Sequence, residues 1–226
     1  MVFIDRSDAG CRIAEHLETL SEPEVVVLGL PRGGVPVAYE VATVLGAPLD
    51  VVLVGKLTVP DRPWLTFGAV SEDDVRIIDD DMVAHAAVSE PERLAVTREQ
   101  QHRLRHSAAR YRRDRARLPL DGATAVIIDD ALATGASAHA ACANARMRGA
   151  KRVVFAVPVG ATRPLRVLSR VADHVLCLQS RQLFGSIRPW YLDFAPVTDA
   201  DVCSLLDRAT ENLPARARVT ATCPRT

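Results

Sequence analysis

The chain has 226 residues, and a hydrophobic content of 48% excludes an intrinsically disordered protein and predicts a packed globule. Lys plus Arg and Asp plus Glu balance at 28 each, so the overall charge gives no reason to expect nucleic acid or an anionic membrane as the main partner. The first residues lack the basic segment and apolar core of a signal peptide, and no apolar run approaches membrane-spanning length. We therefore expect a cytoplasmic protein without a membrane partner.

The chain begins with a predicted helix that is followed by a βαβ unit. Ser7 is expected to cap the helix, in which Ile13, Leu17 and Leu20 recur at helical spacing. Two apolar, β-branched runs then predict strands buried on both faces. The predicted ranges are 25–28 for the first strand, 35–46 for the helix and 49–54 for the second strand. This order implies a parallel sheet.

The middle of the chain departs from this alternation. Residues 57–73 contain prolines and charges, and apolar runs at 65–70 and 75–78 predict a hairpin. Residues 90–118 form the most polar stretch and predict one long helix. Its expected inner positions are Leu94, Leu104, Ala108, Tyr111 and Leu118.

Nine arginines lie between residues 93 and 117, against the acids Glu99 and Asp114. A solvated helix compensated by other acids is one interpretation, with Glu72, Asp73, Asp74 and residues 79–81 as the candidates. A nucleic-acid or polyphosphate surface is a second interpretation, and a role at a subunit interface or in a lid is a third. No RNA-binding module supports the second, so nucleic acid is not expected as a partner.

A second βαβ unit follows, and the motif with the most chemistry lies in its turn. The pattern predicts a strand at 124–128, a turn at 129–135, a helix to Arg148 and a strand at 153–157, so the fold class is doubly wound α/β. Asp129 and Asp130 come at the carboxyl end of a buried strand, where open α/β sheets bind ligands. Backbone N–H groups of 133–137 at a helix start can hold a phosphate, and Gly135 allows close approach. Carboxylates beside a phosphate suit sugar hydroxyls or a magnesium ion. The alternative is that the two acids merely cap the helix.

The turn Pro31-Arg32-Gly33-Gly34 after the first strand lies at the same edge of the sheet. Its glycines allow close backbone approach, and Arg32 can bind an anion with two hydrogen bonds. Taken together, the two turns resemble the signatures of type I phosphoribosyltransferases, which use 5-phosphoribosyl 1-pyrophosphate (PRPP). The resemblance implies that Asp129 and Asp130 hold the ribose hydroxyls, that residues 133–137 hold the 5′-phosphate, and that the Pro31–Gly34 turn holds pyrophosphate and contains a cis peptide bond.

The resemblance implies further site residues, a metal ion and an assembly. Lys56 stands where relatives place a basic pyrophosphate ligand, and Arg62 in the expected mobile lid could close over the diphosphate. Mg²⁺ is expected mainly through PRPP, with weaker contacts to Asp129 and Asp130, and the protein is expected to be a homodimer. The full set implied for PRPP is Pro31, Arg32, Gly33, Gly34, Lys56, Asp129, Asp130, Ala131, Leu132, Ala133, Thr134, Gly135, Ala136 and Ser137.

The resemblance also implies a domain plan: a Rossmann-like, doubly wound, mainly parallel sheet with a small lid and hood. One domain would span 1–213, with a core at 25–160, a lid and helix at 57–118 and a C-terminal hood at 180–213. Residues 214–226 are expected to form a flexible tail. The overall layout resembles a bacterial group of predicted phosphoribosyltransferases that carries no substrate assignment.

The acceptor of the phosphoribosyl group is less defined. Ala133 and Val157 stand where enzymes for 6-oxopurines have an aspartate and a lysine, so hypoxanthine, guanine and xanthine are disfavoured. Trp190 and Tyr191 could stack on a planar base, whereas the alternative buries Trp190 and Phe194 in the core. The predicted activity is Mg²⁺-dependent transfer to a nitrogen nucleophile, with Arg32, Lys56, Asp129 and Asp130 as the catalytic set. One rival is a PRPP-binding regulator without transfer activity, which could contact nucleic acid through the arginine-rich helix. A second rival is an accessory protein of the same fold that binds another phosphorylated sugar.

Overall fold

The computed structural model describes residues 2–18, 24–113, 115–182 and 185–212. In chain order the elements are α1 (Arg6–Leu17), β1 (Val25–Gly29), α2 (Gly34–Leu45), β2 (Leu49–Val51), β3 (Val54–Val59), β4 (Arg62–Ser71), β5 (Arg76–Ile78), α3 (Asp80–Ala86), α4 (Glu90–Arg112), β6 (Thr124–Ile128), α5 (Ala136–Met147), β7 (Arg152–Ala161), α6 (Thr162–Leu168), β8 (His174–Arg181), a 3-10 turn (Arg188–Trp190) and α7 (Asp199–Asn212).

Five strands form a parallel sheet in the order β2-β1-β6-β7-β8. All five residues of β6 are buried, because helices cover both faces of the sheet. One apolar cluster joins the sheet to α1, α2 and α7, and the other joins it to α5 and α6. The predicted α/β class with a mainly parallel sheet is therefore confirmed. No helix in the described part of the chain is long and apolar enough to cross a membrane.

A second, antiparallel sheet contains β3, β4 and β5, and it includes the predicted hairpin. The prediction of one strand over 49–54 was wrong, because β2 ends at Val51 and the chain enters the second sheet at Val54. Val52 and Leu53 lie between the two strands, and each is buried in a different apolar cluster. The apolar run is therefore continuous from β2 to β3, and the hydrophobic pattern could not reveal that the strand ends at Val51.

Two helix boundaries differ from the predicted ones. The N-cap of α1 is Asp5, whose carboxylate accepts the Asp8 amide at 2.8 Å, instead of Ser7. Helix α4 begins with a Ser89–Glu92 capping box and ends at Arg112, because Arg113 adopts φ +46°. Among the expected inner positions of that helix, Leu94 is 40% exposed, while Leu104, Tyr111 and Leu118 are buried and Ala108 is half-buried. Leu20, Asp114 and the predicted tail at 214–226 lie outside the described residues.

Helix α7 lies within the range that was predicted to form a hood, but it packs into the core. Its buried side chains join the apolar cluster on the α2 side of the sheet. They are Val202, Cys203, Leu206 and Ala209. Two parts of that range reach the candidate site: the start of α7, where Asp199 lies near Arg32, and the segment 190–195, which pairs with the N-terminal residues before α1.

Candidate functional site

The two turns predicted to carry the chemistry are in direct contact. They follow β1 and β6, which are neighbours in the sheet, with Gly29 paired to Ile128. A β-carbon at Gly34 would lie 2.6 Å from the Ile128 carbonyl oxygen and 2.9 Å from Cα of Asp129. A β-carbon at Gly33 would overlap the Asp130 carboxylate. Both glycines are therefore needed for the close approach of one turn to the other.

The first turn has the expected backbone geometry, since the peptide bond between Pro31 and Arg32 is cis. The Arg32 side chain is 57% exposed, and its guanidinium lies 3.9 Å from the carboxylate of Asp199 at the start of α7. Arg110 also pairs with Asp199, and the Tyr111 hydroxyl donates to it at 2.6 Å. The Tyr111 hydrogen bond and the two arginines lower the pKa of Asp199. Asp199 was not identified from the sequence.

The second turn presents a helix start to solvent. Gly135 has φ +85° and is the N-cap of α5, so the first amides of that helix have no helical partner and can bind an anion. Ala133 and Thr134 are exposed, whereas Gly135, Ala136 and Ser137 are half-buried.

The beginning of this turn is fixed to the sheet. The Leu132 amide donates to the Val159 carbonyl at 2.9 Å, and the Ala161 amide donates to the Leu132 carbonyl at 2.8 Å. The side chains of Ala131 and Leu132 are buried, so these two residues position the loop without presenting a side chain to a ligand.

The two acidic residues have different surroundings. Burial and the neighbouring charge of Asp130 raise the pKa of Asp129 well above its usual value, while Lys56 acts in the opposite direction. Asp130 is buried and accepts a hydrogen bond from Nε of Arg6 at 2.9 Å, with both side chains 12% exposed. Only one carboxylate of the pair thus has an arginine partner among the described residues. Sequence reasoning missed Arg6, because no motif contains it.

Two basic residues of the second sheet were also predicted to reach a ligand. Lys56 lies inside β3, opposite Ala69, and not at the end of a strand as predicted. Its side chain is exposed, and its charge opposes the rise in the pKa of Asp129, so it lies within electrostatic range of the acidic pair. Arg62 begins β4 and donates to the Ala86 carbonyl at 2.7 Å, which connects the hairpin to the end of α3.

The aromatic residues near the C-terminus are mostly used for packing. The ring of Tyr191 is buried between Phe3 and Phe194, at centroid distances of 5.5 and 5.1 Å, and its hydroxyl donates to the Asp130 carbonyl at 2.7 Å. Tyr191 thus supports the acidic turn from behind, which corrects the expectation that it stacks on a base. Trp190 is half-buried, with the Arg181 guanidinium 5.1 Å from its ring centre.

The arginines at the end of α4 and in the segment that follows it are paired with acids. Arg112 contacts Asp50 at 3.2 Å and Glu72 at 2.9 Å, and Arg117 contacts Asp73 at 2.7 Å. Glu72 and Asp73 were expected partners, whereas Asp50 was not. Further pairs join Arg113 and Arg115 to Asp207. These contacts support the interpretation of a compensated helix.

Known proteins resemble this chain over most of its length. The family model described as "Phosphoribosyl transferase domain" matches residues 10–187. Two curated proteins from two strains of Mycobacterium tuberculosis, provisionally named phosphoribosyl transferases, are 49% identical over 208 residues, or 92% of this chain. The match covers 47% of those proteins, so the chain spans about half the length of the curated relatives it matches.

Solved structures give a similar result. The crystal structure of TT1426 from Thermus thermophilus is 41% identical, with a TM-score of 0.77 over 91% of this chain and 98% of that chain. The AQ2163 protein of Aquifex aeolicus, at 12% identity and a TM-score of 0.51 over 89% of this chain and 84% of that one, shares the fold. Both turns of the candidate site lie inside the matched range 10–187, whereas Arg6 and the segment 190–195 lie outside it.

Proposed function

The chain belongs to the phosphoribosyl transferase family, and from this premise we propose that it binds PRPP and transfers the phosphoribosyl group to a nitrogen nucleophile. Pyrophosphate is the leaving group. The observation that carries the proposal is the contact between the Pro31–Gly34 turn and the Asp129–Asp130 pair at the carboxyl ends of adjacent parallel strands. Such an edge is where open α/β sheets bind their ligands.

Each part of PRPP has a complementary group at this edge. The 5′-phosphate suits the amides at the start of α5, because they carry partial positive charge and have no helical partner. The ribose hydroxyls suit the acidic pair beside that loop. The diphosphate suits the Pro31–Gly34 turn together with the cationic side chains of Arg32 and Lys56, which are both exposed.

The chemistry of this transfer requires orientation and charge stabilisation more than a strong nucleophile. Holding the sugar and the acceptor in one geometry makes the displacement effectively intramolecular. Arg32 and Lys56 stabilise the negative charge that develops on the leaving pyrophosphate. Asp129 and Asp130 fix the ribose so that its anomeric carbon faces the acceptor.

A resident metal site is not supported by the side chains. Among the described residues, no group of three or more His, Cys, Asp or Glu side chains could hold a metal ion. Asp130 is already bound to Arg6, which leaves Asp129 as the available carboxylate of the pair. Mg²⁺ is therefore proposed to arrive bound to the diphosphate of PRPP, and no step is assigned to an ion held by the protein.

A nucleobase screen with PRPP and Mg²⁺, read as pyrophosphate release, tests transfer. At least one nitrogen acceptor is expected to release pyrophosphate with the wild type and not with Asp129→Asn. The matched control is Asp74→Asn, which changes an exposed aspartate that pairs with Arg76 away from the site. PRPP binding without release from any acceptor would favour the regulator instead of the enzyme.

A further inference from the structure

The segments on either side of the family match form one structural unit. The Phe3 amide donates to the Trp190 carbonyl, and the Leu192 amide donates to the Phe3 carbonyl, both at 2.8 Å. The Asp193 amide donates to the Ile4 carbonyl at the same distance. We define the flanking unit as residues 3–6 and 190–195. Neither part lies within residues 10–187, so the unit is additional to the part of the chain that carries the family match.

Arg6 connects the flanking unit to the acidic turn. Its Nε donates to Oδ2 of Asp130 at 2.9 Å, and its Nη1 donates to the Ala195 carbonyl at 2.8 Å. Its guanidinium carbon lies 3.9 Å from the centre of the Phe194 ring, which is within the range of a cation–π contact. Three contacts in three directions fix the guanidinium, and the guanidinium in turn fixes one oxygen of Asp130.

The same aspartate is held at two further points. Its carbonyl accepts the hydroxyl of Tyr191 at 2.7 Å, and Tyr191 packs on Phe3 in the flanking unit. Its carboxylate lies directly against the backbone of Gly33. Asp130 therefore has little freedom to rotate, and its orientation depends on residues outside the matched range.

The charges around the acidic pair show what Arg6 supplies. Asp129 and Asp130 are adjacent, and two neighbouring carboxylates resist being ionised together. Lys56 acts on Asp129 from β3, whereas Arg6 pairs with Asp130 from α1. Without Arg6, Asp130 would be a buried carboxylate without its ion-pair partner.

We propose that Arg6 is a positioning residue for ribose recognition, which holds the Asp130 carboxylate oriented toward the sugar through the flanking unit. This inference rests on the proposed function, since it concerns the ribose of PRPP. Its consequence is selective: ligands that contain the sugar depend on Arg6, whereas pyrophosphate and inorganic phosphate do not, because they bind through backbone amides, Arg32 and Lys56.

The test is calorimetric titration of wild type, Arg6→Ala and Arg6→Lys with PRPP, ribose 5-phosphate and pyrophosphate, each with Mg²⁺. Arg6→Ala is expected to weaken PRPP and ribose 5-phosphate at least tenfold and to change pyrophosphate affinity less than twofold. Arg6→Lys keeps the positive charge but has one nitrogen in place of the two that Arg6 uses, so it is expected to recover part of the loss. Arg76→Ala, which breaks the exposed pair with Asp74, is the matched control and is expected to bind all three ligands like the wild type.

Three outcomes would overturn the inference. Wild-type affinity of Arg6→Ala for PRPP would show that Asp130 does not need Arg6, and equal losses for PRPP and pyrophosphate would show a general structural effect. Wild type that binds no PRPP would remove the proposed function and this inference with it. If Arg6→Ala does not fold, Arg6→Gln replaces it, because glutamine keeps a hydrogen-bond donor without the charge. A larger loss of affinity for PRPP and ribose 5-phosphate than for pyrophosphate would then support the inference, and equal losses would overturn it.

Discussion

The backbone of Gly33 lies directly against the carboxylate of Asp130, so that a β-carbon at residue 33 would come within 2.6 Å of Cγ of Asp130. Gly33 has φ −65° and ψ −30°, which any residue can adopt. The glycine is therefore required for space and not for its conformation. The Pro31–Gly34 turn and the Asp129–Asp130 pair consequently form one surface, and a change in one turn displaces the other.

The Gly33→Ala variant tests this contact. The added methyl group must displace Asp130, so PRPP affinity measured by calorimetry is expected to fall at least tenfold. Gly46→Ala is a matched control, because Gly46 has φ +58° and no atom within 4 Å of its β-carbon position. That control should lose about 1 kcal/mol of stability and bind PRPP normally. Unchanged PRPP affinity in a folded Gly33→Ala variant would contradict the contact.

The raised pKa of Asp129 predicts a pH-dependent effect on stability. Burial and Asp130 favour the protonated form in the folded state, so this group stabilises the fold below its ordinary pKa of 3.8 and loses that contribution as the pH rises toward the folded pKa. Asp129→Asn does not titrate. The difference in the free energy of unfolding between Asp129→Asn and the wild type should therefore shift in favour of the variant from about pH 4 upward. The shift is at most about 1.4 kcal/mol per pH unit, and it levels off above the folded pKa of Asp129.

Denaturant unfolding of both proteins between pH 4 and pH 8 measures this difference, with Asp74→Asn as a control at an exposed site. Parallel stability profiles of wild type and Asp129→Asn would show that burial does not raise the pKa of Asp129. The substitution is expected to weaken PRPP binding above the folded pKa of Asp129, because an amide there replaces a carboxylate acceptor at the proposed ribose site.

The buried end of α4 predicts a purely structural effect. Arg112 is 11% exposed and lies between Asp50 and Glu72, which are 7% and 9% exposed. Arg112→Ala leaves two buried carboxylates without this partner, which is expected to cost about 3–5 kcal/mol in the free energy of unfolding. Arg103→Ala, on the exposed face of the same helix, should change it very little. Equal effects of the two substitutions in denaturant unfolding would contradict a buried network at Arg112.

Substrate selectivity is predicted from two positions. Ala133 is exposed in the loop before α5 and has no carboxylate, and Val157 is fully buried and has no hydrogen-bond donor. An unpaired carbonyl on a buried 6-oxopurine costs about 1–3 kcal/mol, or roughly ten- to a hundredfold in discrimination. Hypoxanthine, guanine and xanthine should therefore be poor acceptors in steady-state assays. A kcat/KM for hypoxanthine of about 10⁴ M⁻¹s⁻¹ or above would refute this prediction.

The sequence predicted the parts of this fold that depend on local patterns. Buried strands, helices of matching length and glycine turns indicated the parallel sheet and placed the Arg32 turn and the Asp129 turn at one edge. The break between Val51 and Val54 was not predictable, because hydrophobicity continues through it. Arg6 was not predictable either, since it pairs with a residue 124 positions away and belongs to no motif.

The same limit applied to Tyr191. Its aromatic ring indicated either stacking on a base or packing in the core, and no local pattern decides between them. The structure places it against Phe3 because residues 3–4 pair with residues 190–193, and such a pairing between distant segments leaves no local signature. Residues whose role depends on a partner far along the chain therefore had to be found from the structure.

Titration of the protein with PRPP and Mg²⁺ tests the central claim most directly. Wild type is expected to bind PRPP, and a Thr134→Ala, Gly135→Val double variant is expected to bind it at least tenfold more weakly. The valine disturbs the φ +85° turn at the start of α5, where the 5′-phosphate is proposed to bind. Gly122→Ala places a side chain at a comparable φ of +73° with no atom within 4 Å, and it should bind PRPP like the wild type. Binding of PRPP by the folded double variant with wild-type affinity, or absence of binding by the wild type, would contradict the account.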